Sequence, residues 1–106
     1  MLRIAAATAP PAPTAFVAER LRAGAGVDPL ALELGVSRRQ LHRRCLASFG
    51  YGPKLLERIL RMNDALALAR GGVAFVDVAA RSGYADQAHL SNDVRDLAGV
   101  TLRQLV

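Results

Sequence analysis

The chain has 106 residues, the size of one ordinary domain with a modest core. Apolar residues make up 52% of it and aromatics only 5%, which excludes disorder throughout and assigns the core to Leu, Ala, Val and Ile. A formal net charge of +5 points to an anionic partner, and nucleic acid is the common partner of a basic domain.

Residues 1–14 hold Pro10, Pro11 and Pro13 among alanines and read as a linker or disordered tail. A first helix is expected from about Thr14 to Arg22, with Phe16, Val17 and Leu21 inward and Gly24 and Gly26 stopping it. Asp28-Pro29 reads as a start signal, with Asp as N-cap and Pro at the first helical position. The short helix that follows ends at Gly35. Ser37 caps the next, from Arg38 to about Phe49, which Gly50 and Gly52 close. Pro53 opens a long helix to about Ala69, ended by Gly71-Gly72. A short helix from about Phe75 to Arg81 ends at Gly83. Asp86 caps a helix from Gln87 to about Ala98, and Thr101 caps a last one from Leu102 to Val106. β-branched residues are sparse beside Ala, Leu and Arg, so no strand is expected. The fold class is all-α: about seven helices, forming two helix-turn-helix lobes (about 15–52 and 71–106) joined by a long linker helix (about 53–70).

The two lobes repeat one pattern. Ala31 stands four residues before Gly35, and Ala79 four before Gly83. A small residue there lets two helices approach, and the glycine turns the chain without a Cβ penalty. A cap follows each turn, Ser37 or Asp86, and apolar residues follow the cap at +4 (Leu41, Leu90) and +8 (Cys45, Val94). Each second helix thus carries one buried stripe.

The opposite faces of those helices carry the candidate chemistry. With Leu41 at the core centre, Arg39 and Arg43 point nearly opposite, His42 lies at their edge, and Arg38 and Arg44 flank them. Such a helix suits the major groove, its far face meeting base edges and its flanking cations meeting phosphates. The arginine fork matches O6 and N7 of guanine. In the second lobe, Ala88 and Asn92 stand opposite Leu90, with Ser91 and Arg95 near them and Gln87 opening the helix. Asn and Gln bond adenine in a bidentate way. Asp93 and Asp96 lie off that face, and Asp64 and Asp77 are expected as isolated surface carboxylates.

The long helix carries Leu55, Ile59, Met62 and Leu66 as a core stripe, and Lys54, Arg58 and Arg61 on another face as candidate phosphate contacts. Seventeen residues span about 25 Å, a spacer that would set two reading helices about one DNA turn apart. The charge is concentrated rather than spread. From Ser37 to Arg61 the only anion is Glu57, against Arg38, Arg39, Arg43, Arg44, Lys54, Arg58 and Arg61. From Gly72 onward, Asp77, Asp86, Asp93 and Asp96 outnumber Arg81, Arg95 and Arg103.

Nothing in the inventory points to catalysis. His42 and His89 lack neighbours at metal-ligand spacing, and no phosphate-loop or dinucleotide signature is present, so neither metal nor cofactor is expected. Cys45 lies on the core stripe as a small hydrophobe. A single cysteine fits a reducing compartment, and no apolar run is long enough to span a bilayer. The Ala/Pro-rich start with its one Arg is a poor signal peptide, so the expected location is cytoplasmic, on the nucleoid, with no membrane partner.

The motifs resemble the arabinose-regulator (AraC/XylS-like) transcription factors of bacteria over Val27 to Leu105. The first unit reads Ala-Leu-Glu-Leu-Gly-Val-Ser-Arg-Arg-Gln-Leu-His-Arg-Arg (31–44), and Gly-Tyr-Gly-Pro-Lys (50–54) is similar to the family's loop into its linker helix. Arg61-Met62 with Ala65 and Leu68 resembles the linker pattern. Val-Ala-Ala-Arg-Ser-Gly-Tyr-Ala-Asp-Gln-Ala-His-Leu-Ser (78–91), closed by Gly99-Val100-Thr101, resembles the C-terminal signature. The resemblance implies a two-lobed reader of a double-stranded DNA operator without a cofactor. Base contacts would come from Arg39, His42 and Arg43, and from Gln87, Ala88, Ser91 and Asn92. Phosphate contacts would come from Arg38, Arg44, Lys54, Arg58, Arg61 and Arg95. It also implies RNA polymerase, or an N-terminal effector or dimerisation domain, as a protein partner. The chain departs from the family at Asn92, where Arg is usual, at Cys45 and Val94, where Phe is usual, and at Leu102, where Pro is common. A second reading stays open: a helical protein-interaction module of the same fold that has lost DNA binding.

Overall fold

The computed structural model describes residues 12–106. The tail expected over residues 1–14 therefore lies, up to residue 11, outside the described residues. Seven α-helices follow in order: α1 (Ala12–Arg22), α2 (Val27–Leu34), α3 (Arg38–Phe49), α4 (Pro53–Arg70), α5 (Phe75–Arg81), α6 (Gln87–Ala98) and α7 (Leu102–Leu105). No strand occurs among the described residues, so the chain is all-α. It divides between Leu60 and Arg61 into two compact units, each with its own core.

The first unit packs α1, α2, α3 and the start of α4 around Val17, Leu21, Val27, Leu30, Ala31, Leu41, Cys45, Leu56 and Leu60. Each fully buried leucine here contributes about 1.5–3 kcal/mol relative to an exposed one. Leu41 and Cys45 lie on the stripe that places them inside. Phe16 does not turn inward as expected: it is 41% exposed, while Val17 and Leu21, four residues apart on one face, take the core positions. The helix also opens at Ala12, earlier than Thr14. Pro13 is compatible with that start, because a first-turn amide has no partner within the helix to lose.

The start of α2 differs from the Asp-Pro reading. Gly26 is the N-cap, and Asp28 sits inside the first turn without capping it. Its carboxylate instead takes the Arg38 guanidinium at 2.7 Å. Asp28 still lies at the positive end of the helix dipole, where an anion is favourable.

The second unit packs the rest of α4 with α5, α6 and α7 around Met62, Ala65, Leu66, Ala69, Val78, Ala79, Tyr84, Leu90, Val94 and Leu102. The core stripe of α4 is not the expected one at its start. Leu55 is 37% exposed, whereas Leu56 is fully buried with Ile59, Met62 and Leu66. In a helix the Cβ atoms at 55 and 56 diverge by about 100°, so only one of two adjacent leucines faces a single core. Asp93 is the one buried charged residue among those described, at 7% exposure. It lies three residues after Leu90 and one before Val94, on the flank of the buried stripe.

Candidate nucleic-acid interface

Each unit holds a short helix, a turn and a longer helix, and the two turns are built alike. In the first, Gly35 adopts φ 69° and the Val36 amide donates to the Ala31 carbonyl at 3.0 Å. In the second, Gly83 adopts φ 82° and the Tyr84 amide donates to the Ala79 carbonyl at 3.0 Å. This is the Schellman return bond, which needs a left-handed residue that only glycine takes at little cost. The alanines at the equivalent positions are also buried. One residue type thus allows close helix packing and supplies the carbonyl that closes the turn.

The caps then aim the second helices. The Ser37 hydroxyl accepts the Gln40 amide at 3.1 Å, and the Gln40 side chain accepts the Ser37 amide at 2.8 Å. This capping box ties the Gln40 side chain back to the start of α3. The Asp86 carboxylate accepts the His89 amide at 2.7 Å. The His89 ring reaches back, its Nδ1 accepting the Ala85 amide at 3.1 Å. That bond puts the proton of the neutral ring on Nε2.

On α3, Arg39, His42, Arg43 and Arg44 are all exposed, and the buried Leu41 and Cys45 face away from them. The exposed His42 lies against the loop before α4. Its ring fills the space beside Gly52, where an added Cβ would meet the ring at 2.6 Å. Arg38, Arg39, His42 and Lys54 border one groove, floored by Gly52, Pro53 and Leu55. Arg44 lines a different, apolar groove with Thr14, Val17, Leu34 and Phe49. Arg38, Arg39 and His42 of α3 thus border one groove and Arg44 another.

Arg38 also has the Asp28 partner already described. Both groups are about two-thirds exposed, so the pair is worth less than about 1 kcal/mol in water. A phosphate could exchange for Asp28 at small cost. Burial pushes the Cys45 thiol above its ordinary pKa, which disfavours the thiolate and fits a packing role.

On α6, Gln87, Ala88, Asn92 and Arg95 are exposed and Ser91 is half-buried, with Leu90 and Val94 beneath. Gln87 borders a shallow groove with Val76 and Arg103, whose guanidinium lies 5.5 Å from the Phe75 ring centre. On α4, Lys54 is exposed, whereas Arg58 and Arg61 are half-buried. Arg61 sits over the Tyr84 ring at 5.5 Å.

Sequence reasoning missed the polar cluster behind α6. The Tyr84 hydroxyl donates to the buried Asp93 carboxylate at 3.4 Å, and the His89 ring meets the Tyr84 ring edge-on at 5.0 Å. The signal was the placement of Asp93 on the flank of the Leu90–Val94 stripe. Asp64, expected as an isolated surface carboxylate, is half-buried and engaged. Asp77 is exposed. Among the described residues, no group of three or more His, Cys, Asp or Glu could hold a metal ion, and no helix is long and apolar enough to cross a membrane.

Two capped turn-and-helix units, each presenting a polar face above a buried stripe, define a helix-turn-helix protein. Residues 30–106 match the helix-turn-helix domain family of the AraC type, and the chain belongs to that family. The family's domains bind DNA and regulate transcription. No curated protein and no solved structure matched the chain.

Proposed function

We propose that the protein binds a double-stranded DNA operator sequence-specifically, placing α3 and α6 in successive major grooves. The observation that carries this reading is the repeated turn: two Schellman returns onto Ala31 and Ala79, each followed by a side-chain cap and an exposed polar helix face. Arg39, His42 and Arg43 read bases from α3. Gln87, Ala88, Ser91 and Asn92 read them from α6. Arg38, Arg44, Lys54, Arg58 and Arg95 meet phosphates, which fix the register of the helices without carrying sequence information.

The division of labour is unequal. The first unit holds most of the positive charge and supplies most of the electrostatic grip. The second, with Asn92 and the acidic balance of residues 72–106, contributes base reading more than attraction. The role is one of binding rather than catalysis, with no cofactor. The setting is a bacterial cytoplasm, on the nucleoid, and the protein partner is RNA polymerase or an N-terminal effector or dimerisation domain.

Selection of duplexes from a random pool yields the operator, and hydroxyl-radical footprinting on it tests the groove assignment. Two protected patches about 10 base pairs apart on one face of the duplex are expected. A single patch confined to one groove would remove α6 or α3 from the readout. Failure to retain any duplex would favour a protein-interaction module.

A further inference from the structure

We infer that Arg61 is a positioning residue for α6, clamping the turn of the second unit through Tyr84, and not a phosphate contact. The inference rests on the reading of α6 as a DNA-reading helix. Its basis is the set of groups converging on one aromatic ring.

Tyr84 is the third residue after the helix α5, buried to 5% exposure at the bend between α5 and α6. Its amide closes the turn onto Ala79 of α5. Its hydroxyl reaches Asp93, two turns into α6, and its ring makes a T-shaped contact with His89 in the first turn of α6. The Arg61 guanidinium of α4 lies over the ring, 5.5 Å from the centroid and within the distance at which a cation is attracted to an aromatic face. The Arg61 Nε lies 3.9 Å from where a Cβ on Gly83 would stand, so the arginine lies against the turn itself.

One ring thus links α4, α5 and α6, and it touches α6 at positions 89 and 93. These positions alternate along the helix with Ala88, Ser91 and Asn92 on the readout side. A guanidinium stacked there is half-buried and directed at the protein. It fixes the pitch and rotation of α6 without contacting DNA.

The two roles differ in salt dependence. A phosphate contact adds about 0.9 to the slope of log K against log salt and acts on every sequence alike. A positioning residue leaves the slope unchanged and acts on the base pairs under α6. The test measures binding of the full chain to the selected duplex and to its single-base variants, over a range of salt, for wild type and Arg61→Gln.

The expected result is a loss of about three- to thirtyfold, confined to discrimination at the α6 half-site, with the salt slope unchanged. A slope lower by about 0.9 with a uniform loss would overturn the inference. A second measurement needs no DNA. The Arg61 side-chain protons of the wild type should show an upfield ring-current shift. Amide exchange over Gly83 to Gln87 should quicken in Arg61→Gln by a similar factor. If no duplex binds at all, the DNA reading fails, and these two readouts still decide the clamp: unshifted Arg61 protons or unchanged exchange refute it.

Discussion

Arg43 illustrates what a single exposed side chain commits to. It stands nearly opposite the buried Leu41 and is directed away from the core. As a guanine reader, Arg43→Ala costs about 1–3 kcal/mol of binding and relaxes preference at one base pair. Titration against single-base operator variants checks this; an equal loss on every variant would make it a phosphate contact. His42 depends on a residue ten positions away. Its ring occupies the space that Gly52 leaves, and Gly52→Ala would force the ring out. The ring is exposed and free to rotate at χ1 and χ2, so stability should fall by less than about 1 kcal/mol. Binding should fall as it does in His42→Ala, and the two changes together should cost no more than either alone. Additive losses would show that the ring's packing does not set its readout pose. Asp93 gives the opposite lesson. A carboxylate at that position looks like part of a solvated flank, but burial beside Tyr84 makes it part of the support for α6.

At the scale of the element, the helices start and stop where their caps dictate. Ser37, Asp86 and Thr101 each accept an amide from the first turn of the helix that follows, and all were legible as caps. Ser37→Ala and Asp86→Ala should each cost about 1 kcal/mol, measured by chemical denaturation. For Asp86 the cost is expected to be larger, because its ionised carboxylate also favours the positive end of α6. Equal cost at both would show that this charge contributes nothing beyond the hydrogen bond. Asp28-Pro29 failed as a start signal because the first-turn conformation was already available at Val27, with Gly26 turning the chain at φ 87°. A propensity for capping is realised only when the backbone places that residue outside the first helical turn.

For the molecule as a whole, the decisive property is the concentration of positive charge in residues 37–61. Log K for the operator should fall linearly with log salt, at about 0.9 per phosphate neutralised. The five proposed phosphate contacts predict a slope near −4.5. Neutralising Lys54 and Arg44 together should reduce it by about 1.8, read from binding isotherms at four or more salt concentrations. A slope near zero would sink the DNA reading for the molecule, whatever the individual residues do.

The order of seven helices, the two repeated turns, the caps at Ser37, Asp86 and Thr101 and the buried +4 and +8 positions could be read from the chain. They rest on local rules: glycine's access to positive φ, the capping oxygen of Ser, Thr and Asp, and the 3.6-residue period. The basic face of α3 was legible for the same reason, since a helix fixes which residues share a side. Tertiary structure alone decided whether Leu55 or Leu56 entered the core, whether Phe16 turned inward, and that Asp28 would take Arg38 rather than cap a helix. It also decided that Arg61, Tyr84, His89 and Asp93 would meet around one ring. Each of these depends on which surfaces approach each other, and the periodicity of one helix carries no information about its neighbour's position.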